Sequence, residues 1–481
     1  MKWDECLLCH DAACSRSCEV LQPARLLRSL YFDNAEAVRN ELGGQVPCTD
    51  CDGHCRQSCP VDLDIRGILT SLAPDKQREI NYDVLKTDFC GIPLENPFLL
   101  SSSVIASTYD MCARAFEAGW AGAAFKTICL MDIVEASPRF SAIKGDNNRL
   151  IGFKNIEQLS DHSVVENIKI FKELKKNYPD KFLLVSIMGR NEEEWAYLAD
   201  ILNDSGADAL ELNFSCPNMT EENSGSDVGQ IPELVERYSR VVKQHTRLPF
   251  IAKLTPNVTH IEDSAEAAIR GGADGVAAIN TIKSLIEVDI NPNDGIAQAS
   301  IGGYSGKAVK PIALRFTAEL AQDEMLDGKH ISAMGGIETW RDALEFIVLG
   351  ADSVQVTTAV MQYGYRIIDD LKSGLALYLQ DHGFQNIKDI HKTTISGIVG
   401  TEKLDRSYVI FPRFLRDKCV GCQRCYLSCQ DGGHQAIKIV DGKPVLNPDN
   451  CVGCHLCVLV CPMEAIVSSE VRVPKEKLGR I

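Results

Sequence analysis

The sequence predicts an α/β fold built around a parallel (β/α)8 barrel, with a cysteine-rich segment at each end of the chain. Eight short apolar, β-branched runs alternate with helical patterns, and polar residues collect where those runs end. Nearly continuous apolar strands are typical of parallel strands that are covered on both faces. Eight strand–helix units of this kind close into a TIM barrel.

The eight predicted strands are separated by segments with helical periodicity, such as 231–244 and 339–350. The strands are expected at 98–103, 121–127, 182–188, 209–215, 249–256, 275–281, 330–336 and 353–360. We therefore expect three domains: a helical cysteine-rich segment over 1–80, the barrel over 84–405, and a small ferredoxin-like domain over 410–475.

Composition limits the classes of partner. The chain has 481 residues, 45% of them hydrophobic, and a formal net charge of −16, which argues against nucleic acid and anionic membrane as main partners. The first residues show no secretory signal, and we see no apolar run long enough to cross a membrane. Twenty cysteines in such a chain indicate metal ligands or reactive thiols in a reducing compartment, so we expect a cytoplasmic protein.

Two cysteine runs near the C-terminus share the spacing C-x2-C-x2-C-x3-C of two-cluster bacterial ferredoxins. In that arrangement three cysteines of a run bind one [4Fe–4S] cluster and the fourth crosses to the other. Zinc sites are the alternative, and Gln430 follows the first run where a proline follows the second. The predicted ligands are Cys419, Cys422, Cys425, Cys429, Cys451, Cys454, Cys457 and Cys461.

Two further sets of four cysteines lie near the N-terminus. They predict two more [4Fe–4S] clusters, with zinc, or one cluster and spare thiols, as the alternatives. Spacing alone leaves open whether the fourth cysteines exchange clusters. The predicted ligands are Cys6, Cys9, Cys14, Cys18, Cys48, Cys51, Cys55 and Cys59.

Polar residues end the predicted barrel strands. The active sites of such barrels lie at this carboxyl end, and phosphate commonly binds after strands seven and eight. Two lysines there suit a reduced flavin, whose anionic ring a cation stabilises. For Gly335 and Gly336, the alternative is that they only form a tight turn. The residues concerned are Ser101, Lys126, Asn213, Lys253, Asn280, Gly335, Gly336, Thr357 and Thr358.

The chain shows no G-x-G-x-x-G after a strand, so we predict no dinucleotide-binding Rossmann unit. Electrons are then expected to reach the flavin through the clusters, from another protein.

Cys216 stands apart from the cluster cysteines. It follows the fourth predicted strand and opens a polar loop, 216–230, in which Gly225 and Gly229 are candidate hinges of a lid. A thiol in this position can exchange a proton with a substrate carbon while a flavin exchanges a hydride. An inert buried cysteine is the alternative, and packing is the role we predict for Cys90, Cys112 and Cys129.

From about residue 84 onward the chain resembles the dihydropyrimidine dehydrogenases. The stretches that carry the resemblance include NPFLLSSS, SPRF, GFKNIEQ, ELNFSCPNMT, AKLTPNV, AAINTIKS, GGYSGKAVKPIALRF, GGIETW and QVTTAVMQYGYRI. The resemblance implies interconversion of uracil or thymine with the 5,6-dihydro compound. FMN would exchange hydride with C6, and Cys216 would be the general acid at C5.

The same resemblance implies two sets of binding residues. Those expected to hold the pyrimidine are Asn155, Glu157, Asn213, Ser215, Asn280 and Thr281. Those expected to hold FMN are Ser101, Ser102, Lys126, Thr127, Lys253, Gly306, Gly335, Gly336, Thr357 and Thr358.

The first 80 residues depart from the bacterial catalytic subunits of this family and look similar to the cluster-bearing segment of the mammalian enzymes. The resemblance implies an FAD- and NAD-binding flavoprotein subunit, or a ferredoxin, as electron donor, and we expect an oligomer. The ring-substituent preference depends on 221–224, where the sequence departs from the family.

Three other functions are the alternatives to this interpretation of the sequence. A dihydroorotate dehydrogenase-type enzyme has a similar barrel, but Glu157 is expected to repel a carboxylate substrate. A reductase of another heterocycle remains open. A pure electron carrier is disfavoured by the set of Lys126, Cys216 and Lys253.

Overall fold

The computed structural model describes residues 3–44, 48–72, 76–145, 148–219, 225–286, 288 and 300–478. The chain divides into two compact units, Met1–Gly397 and Ile398–Ile481. The first unit contains the N-terminal cysteines and the barrel, and the second contains the C-terminal cysteines.

The first unit is built from strands and helices in the following order along the chain. The strands are β1 Thr87–Phe89, β2 Ile92–Leu94, β3 Phe98–Leu100, β4 Gly122–Ile128, β5 Phe140–Lys144, β6 Leu150–Asn155, β7 Phe182–Ile187, β8 Ala209–Asn213, β9 Phe250–Lys253, β10 Gly275–Ala278, β11 Ile282–Ser284, β12 Gly302–Ser305, β13 His330–Met334 and β14 Ser353–Val356. The helices are α1 Ala13–Arg16, α2 Pro23–Tyr31, α3 Ala35–Leu42, α4 His54–Gln57, α5 Ile65–Thr70, α6 Tyr109–Ala118, α7 Val164–Asn177, α8 Glu192–Leu202, α9 Ser226–Gly229, α10 Pro232–His245, α11 Ile261–Arg270, α12 Lys310–Gln322, α13 Trp340–Leu349, α14 Thr358–Tyr363 and α15 Ile368–Asp381.

Eight parallel strands close into a barrel in the order β3-β4-β7-β8-β9-β10-β13-β14 and back to β3. All eight predicted strands are confirmed, and every residue within them is buried. Burial on both faces explains why the sequence shows continuous apolar runs rather than alternation. The helices pack around this barrel, and their apolar faces form the main core with the outward-facing strand residues.

The opposite end of the barrel from the polar residues is closed by a hairpin of β1 and β2. Phe89 and Leu94 from this hairpin join the apolar side chains inside the barrel, such as Leu184 and Ile251. The Phe89 ring lies 4.6 Å from the Phe182 ring, centroid to centroid. The barrel is therefore a packed core with one open end.

A four-stranded antiparallel sheet in the order β11-β12-β6-β5 was not predicted from the sequence. Asn155 belongs to this sheet, and Ile282 in β11 directly follows Thr281. The sheet therefore lies at the end of the barrel where the polar residues collect. Gly303 in β12 pairs with Asn155 in β6, across about 150 positions of chain. Local periodicity does not reveal a pairing of this sequence separation.

The N-terminal segment is attached to the barrel through a buried polar interface. Arg28 on α2 lies 2.7 Å from Asp370 on α15, and Ser29 Oγ donates to the same carboxylate at 2.5 Å. Burial raises the pKa of Asp370, which Arg28 and Ser29 oppose. Asn34 donates to Ser373 Oγ at 2.8 Å. These contacts fix the cysteine-bearing segment against the last barrel helices.

The second unit is a small α+β domain. Its elements are β15 Tyr408–Phe414, α16 Arg424–Gly432, β16 Ile437–Val440, β17 Lys443–Leu446, α17 Leu456–Leu459 and β18 Ile466–Pro474. The terminal strands β15 and β18 pair antiparallel, and β16 and β17 form a hairpin. Helix α16 carries Cys425 and Cys429 of the first predicted cluster run, and α17 carries Cys457 of the second.

Within the described residues, no helix combines the length and the apolar character needed to cross a membrane.

We predict that Asp370→Ala destabilises the N-terminal interface by about 3 kcal/mol or more, because the buried Arg28 cation loses its partner. Thermal unfolding and hydrogen exchange of 23–42 measure the effect. Asp369→Ala is the matched control, because that carboxylate is 3.2 Å from Arg28 but largely exposed, and we expect less than about 1 kcal/mol. Equal effects of the two variants would contradict a buried anchoring pair.

Candidate functional site

A cavity of about 1110 Å³ opens at the carboxyl ends of the barrel strands. It is lined by residues at the ends of β3, β4, β8, β9, β10, β13 and β14, and by residues of the sheet β11-β12-β6-β5, which we call the mouth sheet. Of the residues predicted for the site, those that line it are Ser101, Ser102, Lys126, Thr127, Asn155, Glu157, Asn213, Cys216, Lys253, Asn280, Thr281, Gly306, Gly335, Gly336, Thr357 and Thr358. Ser215 stands just behind this lining and contacts two of its amides.

A buried ion pair lies at the inner end of the cavity. Lys253, at the end of β9, is 3.5 Å from the Glu211 carboxylate on the neighbouring β8, and both side chains are buried. Lys253 also donates to Ser102 Oγ at 2.8 Å, and Ser102 Oγ donates to Glu211 at 2.6 Å. A buried ammonium needs such partners to remain charged. The arrangement holds a fixed cation at the cavity wall.

A chain of hydrogen bonds orients two amide side chains. Thr127 Oγ1 pairs with Ser186 Oγ at 2.9 Å and accepts from Asn213 Nδ2 at 2.9 Å. Ser215 Oγ donates to Asn213 Oδ1 at 2.8 Å and accepts from Asn280 Nδ2 at 2.9 Å. Because each group constrains the next, the amides of Asn213 and Asn280 have defined orientations toward the cavity.

A second charged group lies nearer the opening. Lys126, at the end of β4, is 2.7 Å from Glu157 and 3.5 Å from Glu135. Arg139 lies 2.7 Å from the other oxygen of Glu157. Two carboxylates and two cations thus balance one another. The sequence analysis missed Glu135 and Arg139, although Arg139 belongs to the quoted stretch SPRF.

Asn218 was also missed, although it lies in the quoted stretch ELNFSCPNMT. Its Nδ2 donates to the Glu157 carbonyl at 2.8 Å and to Asn155 Oδ1 at 3.3 Å. Asn155 Nδ2 in turn donates to the Gly303 carbonyl at 3.3 Å. The loop that carries Cys216 is therefore joined by hydrogen bonds to the mouth sheet at the cavity wall.

Cys216 lies directly beyond β8, is only 6% exposed, and faces this cavity. Burial raises the pKa of its thiol, an effect that Lys253 and Lys126 oppose. The backbone N–H of Ser226 donates to the Cys216 carbonyl at 2.9 Å, which closes the base of the predicted lid loop. Gly225 there has φ +54°, and an added Cβ would lie 2.3 Å from that carbonyl. Residues 220–224, the centre of the predicted lid, lie outside the described residues.

At the turn after β13, the cavity wall is formed by glycines, which allow a ligand to approach the backbone closely. Gly335 and Gly336, between β13 and α13, have φ +130° and +75°. A Cβ on Gly335 would meet the Ala313 methyl at 2.7 Å, so the turn needs glycine. Thr358 Oγ1 and Ser305 Oγ lie 3.0 Å apart beside it. Hydroxyls and a glycine turn near a helix start suit a phosphate group.

Four-cysteine cavities occur in the second unit. One, of about 410 Å³, is lined by Cys419, Cys422, Cys425 and Cys461. The other, of about 370 Å³, is lined by Cys429, Cys451, Cys454 and Cys457. Each takes three cysteines from one run and the fourth from the other, as the ferredoxin spacing predicts. Backbone N–H groups of Ala436 and Ala465 donate to the sulfurs of Cys429 and Cys461 at 3.3 Å, which favours thiolates.

The N-terminal cysteines are grouped in the same manner. A cavity of about 350 Å³ is lined by Cys6, Cys9, Cys14 and, from the second run, Cys59. Burial, followed by the neighbouring thiols of Cys51, Cys55 and Cys18, raises the pKa of Cys48 to about 11. The last cysteine of each run therefore lies with the other run. Within the described residues, no group of three or more His, Cys, Asp or Glu side chains is arranged closely enough to hold a single metal ion.

The three remaining cysteines have no such setting. Cys112 and Cys129 are buried in the main core, and Cys90 packs against the barrel interior. Burial raises the pKa of Cys90 and Cys112 to about 12. This burial is compatible with the packing role that the sequence analysis predicts for them.

A closed parallel barrel with a polar mouth, joined to a domain with ferredoxin-type cysteines, defines an iron–sulfur oxidoreductase of the flavin-barrel class. Residues 84–379 match the family described as dihydroorotate dehydrogenase, and residues 413–468 match a 4Fe-4S dicluster domain. The chain belongs to the dihydroorotate dehydrogenase family and, within it, to the dihydropyrimidine dehydrogenase subunits.

Similar proteins support that assignment. The NAD-dependent dihydropyrimidine dehydrogenase subunit PreA of Escherichia coli K12 is 52% identical over 74% of this chain and 87% of that protein. The chloroplastic dihydropyrimidine dehydrogenase (NADP+) of Arabidopsis thaliana is 36% identical over 62% of the chain and 74% of that protein. The catalytic subunit of dihydroorotate dehydrogenase B from Pyrococcus horikoshii is 39% identical over 64% of the chain and 96% of that protein.

A solved structure of the dihydroorotate dehydrogenase from Eimeria tenella superposes with a TM-score of 0.54 at 18% identity, covering 66% of this chain and 89% of that one. This likeness concerns the fold. The family and domain matches together make the chain an oxidoreductase with flavin and [4Fe–4S] cofactors.

Proposed function

We propose that this chain interconverts uracil or thymine with the corresponding 5,6-dihydropyrimidine. One observation carries the proposal: the Cys216 thiol lines the same cavity as the oriented amides of Asn155, Asn213 and Asn280. A pyrimidine base presents two N–H groups and two carbonyls, which amide side chains match in both senses. The identity to the E. coli subunit supports the same substrate class.

FMN is the flavin that we assign to the cavity, where it would supply hydride exchange with C6 of the ring, with electrons supplied through the [4Fe–4S] clusters. The residues that fit its phosphate are Gly306, Gly335, Gly336, Thr357 and Thr358. The residues that fit its ring are Ser101, Ser102, Lys126, Thr127 and Lys253. Gln355 Oε1 is buried without a partner at this cavity and offers an acceptor for a ring N–H.

Cys216 holds the proton that is exchanged with C5 of the pyrimidine. A general acid must be protonated at the working pH and must reach the reacting carbon. Burial, by raising the pKa of the thiol, keeps Cys216 protonated near neutral pH. Its position on the loop past β8 presents the sulfur to the cavity, and the loop excludes water when it covers the substrate.

Glu157 and Asn155 form the substrate wall on the mouth sheet. The carboxylate of Glu157 is held between Lys126 and Arg139, so its orientation is fixed. A carboxylate accepts a ring N–H in a charge-assisted hydrogen bond. Two more residues belong to the proposed pyrimidine site. Thr281 lines the cavity, and Ser215 orients Asn213 and Asn280 through hydrogen bonds.

We propose four [4Fe–4S] clusters per chain. The N-terminal pair would be held by Cys6, Cys9, Cys14 and Cys59, and by Cys18, Cys48, Cys51 and Cys55. The C-terminal pair would be held as the two four-cysteine cavities group their residues. Backbone N–H groups that donate to Cys18 and Cys51 sulfurs, at 3.4 and 3.2 Å, suit thiolate ligands.

We infer an FAD- and NAD-binding flavoprotein subunit, or a ferredoxin, as electron donor, because the sequence has no dinucleotide fingerprint. The E. coli relative is a subunit of NAD-dependent dihydropyrimidine dehydrogenase, which supports assembly of this chain with such a flavoprotein subunit into an oligomer. A cytoplasmic location is inferred from sixteen cysteines in four sets, which need reducing conditions to bind clusters.

The first prediction here concerns the flavin. Anaerobic addition of dihydrouracil or dihydrothymine to the purified chain is expected to bleach the flavin band, and dihydroorotate is expected to leave it unchanged.

Cys216→Ala should retain flavin and iron but lose at least about 100-fold in turnover, because it lacks the general acid. Bleaching by dihydroorotate alone would replace the proposed substrate, and normal turnover of the variant would remove the thiol from the mechanism.

The second prediction concerns Glu157. We expect Glu157→Gln to weaken pyrimidine binding about tenfold, through loss of a charge-assisted hydrogen bond, while flavin content stays normal. The flavin absorbance of the purified variant gives the flavin content, and its change on titration with uracil gives the affinity for the pyrimidine. Glu135→Gln is the control, because it removes a carboxylate 3.5 Å from the same lysine. Parallel loss of flavin and pyrimidine binding in Glu157→Gln would show a structural role instead.

The third prediction concerns cluster number. Chemical analysis of the anaerobically purified chain is expected to give about sixteen iron atoms, four for each cluster. A double variant, Cys6→Ser with Cys48→Ser, should fall to about eight. A wild-type value of about eight would remove the N-terminal pair.

A further inference from the structure

Glu338 is a buried carboxyl group for which the proposed reaction has no use. It follows the Gly335–Gly336 turn, lines the cavity and is 9% exposed. Its Oε1 atom is buried without a hydrogen-bond partner. A buried, unpartnered carboxyl oxygen is costly, so its retention beside a ligand cavity suggests that a bound ligand completes its environment.

The charged groups around Glu338 are engaged elsewhere or lie farther off. Lys310 is 2.6 Å from Asp342 and 2.7 Å from Glu345. Arg149 stacks over the Tyr31 ring, 4.3 Å from its centroid. In the described part of the chain, no cation lies within ion-pair distance of Glu338.

The protonation of Glu338 follows from this setting. Burial raises its pKa to about 7, helped by Asp342 and opposed by Lys307, Arg149 and Lys310. Tyr363, whose pKa burial also raises, faces Glu338 from α14 and stays neutral. Near neutral pH the carboxyl group therefore exists in both forms, unlike an ordinary glutamate.

We propose that Glu338 binds the phosphate end of FMN as a neutral carboxylic acid that donates a hydrogen bond, so that FMN affinity falls as Glu338 ionises. This inference rests on the assignment of FMN to the cavity. Glu338 and the glycine turn follow β13, and Thr357 and Thr358 follow its parallel neighbour β14, so these residues line the cavity at the ends of adjacent strands. A protonated acid can donate to a phosphate oxygen, whereas a carboxylate would repel it.

The direction of the pH effect follows from the two ionisations. A phosphate monoester loses its second proton near about pH 6, so FMN is a dianion above about pH 7. Above the pKa of Glu338, binding must take up one proton, and the affinity falls by about tenfold per pH unit. The same carboxyl group stabilises the fold of the flavin-free protein at low pH, and this stabilisation is lost as the pH rises toward 7.

The test uses the holoenzyme. Dilution series under anaerobic conditions, followed by the fluorescence of released FMN, give the FMN dissociation constant from pH 6 to 8.5. For wild type we expect about a tenfold rise between pH 7.5 and 8.5. Glu338→Gln keeps an N–H donor without an ionising group, so its dissociation constant should stay flat over that range.

Glu345→Gln is the matched control. It makes the same substitution on α13 at a half-exposed carboxylate that is paired with Lys310, and it should follow the wild-type profile. If Glu338→Gln does not fold, calorimetry of FMN binding to wild type at pH 8 in buffers of different ionisation enthalpy replaces it. About one proton should be taken up for each FMN bound.

A flat wild-type profile, an identical profile for Glu338→Gln, or zero proton uptake would each overturn the role of Glu338 and leave the FMN assignment intact. Absence of FMN binding at any pH would overturn both.

Discussion

The mouth of the barrel depends on balancing buried charge. Lys253 lies on a fully buried strand. Its ammonium is tolerated there because Glu211 on the adjacent strand balances its charge and Ser102 Oγ accepts a hydrogen bond from it. In the register of the parallel neighbours β8 and β9, Asn213 pairs with Lys253. Glu211, two residues before Asn213, therefore lies on the same face of the sheet and diagonal to Lys253. A cation fixed in this way can stabilise negative charge on a bound ring without rearranging.

The same balance of charge is found around Lys126. Lys126 on β4 is matched by Glu157 beyond β6, and Arg139 on the preceding segment occupies the other carboxylate oxygen. The site is therefore nearly neutral in net charge, as suits an uncharged heterocycle. The glycine-turn end of the cavity differs. Among the described residues no cation lies within ion-pair distance of Glu338, and burial raises the pKa of its carboxyl group to about 7.

The N-terminal cysteine segment belongs with the barrel rather than with a separate unit. Arg28, Ser29 and Asn34 bind Asp370 and Ser373 on α15, while Arg366 donates to the carbonyl groups of Leu8 and Cys9. Backbone carbonyls next to a predicted cluster ligand are thus held by a barrel residue. The cysteines acquire a defined position relative to the barrel, which a flexible extension would lack.

The sequence by itself determined the eight strands, the cysteine sets and the polar residues at the strand ends. Each depends on short-range patterns: buried parallel strands must be apolar throughout, and cluster ligands recur at fixed spacings. Only the tertiary structure decided which groups meet. The mouth sheet pairs Gly303 with Asn155, the second oxygen of Glu157 meets Arg139, and Cys59 joins Cys6 rather than its own run. These contacts join residues far apart in the chain, and burial, which controls the protonation of Cys216 and Glu338, exists only after folding.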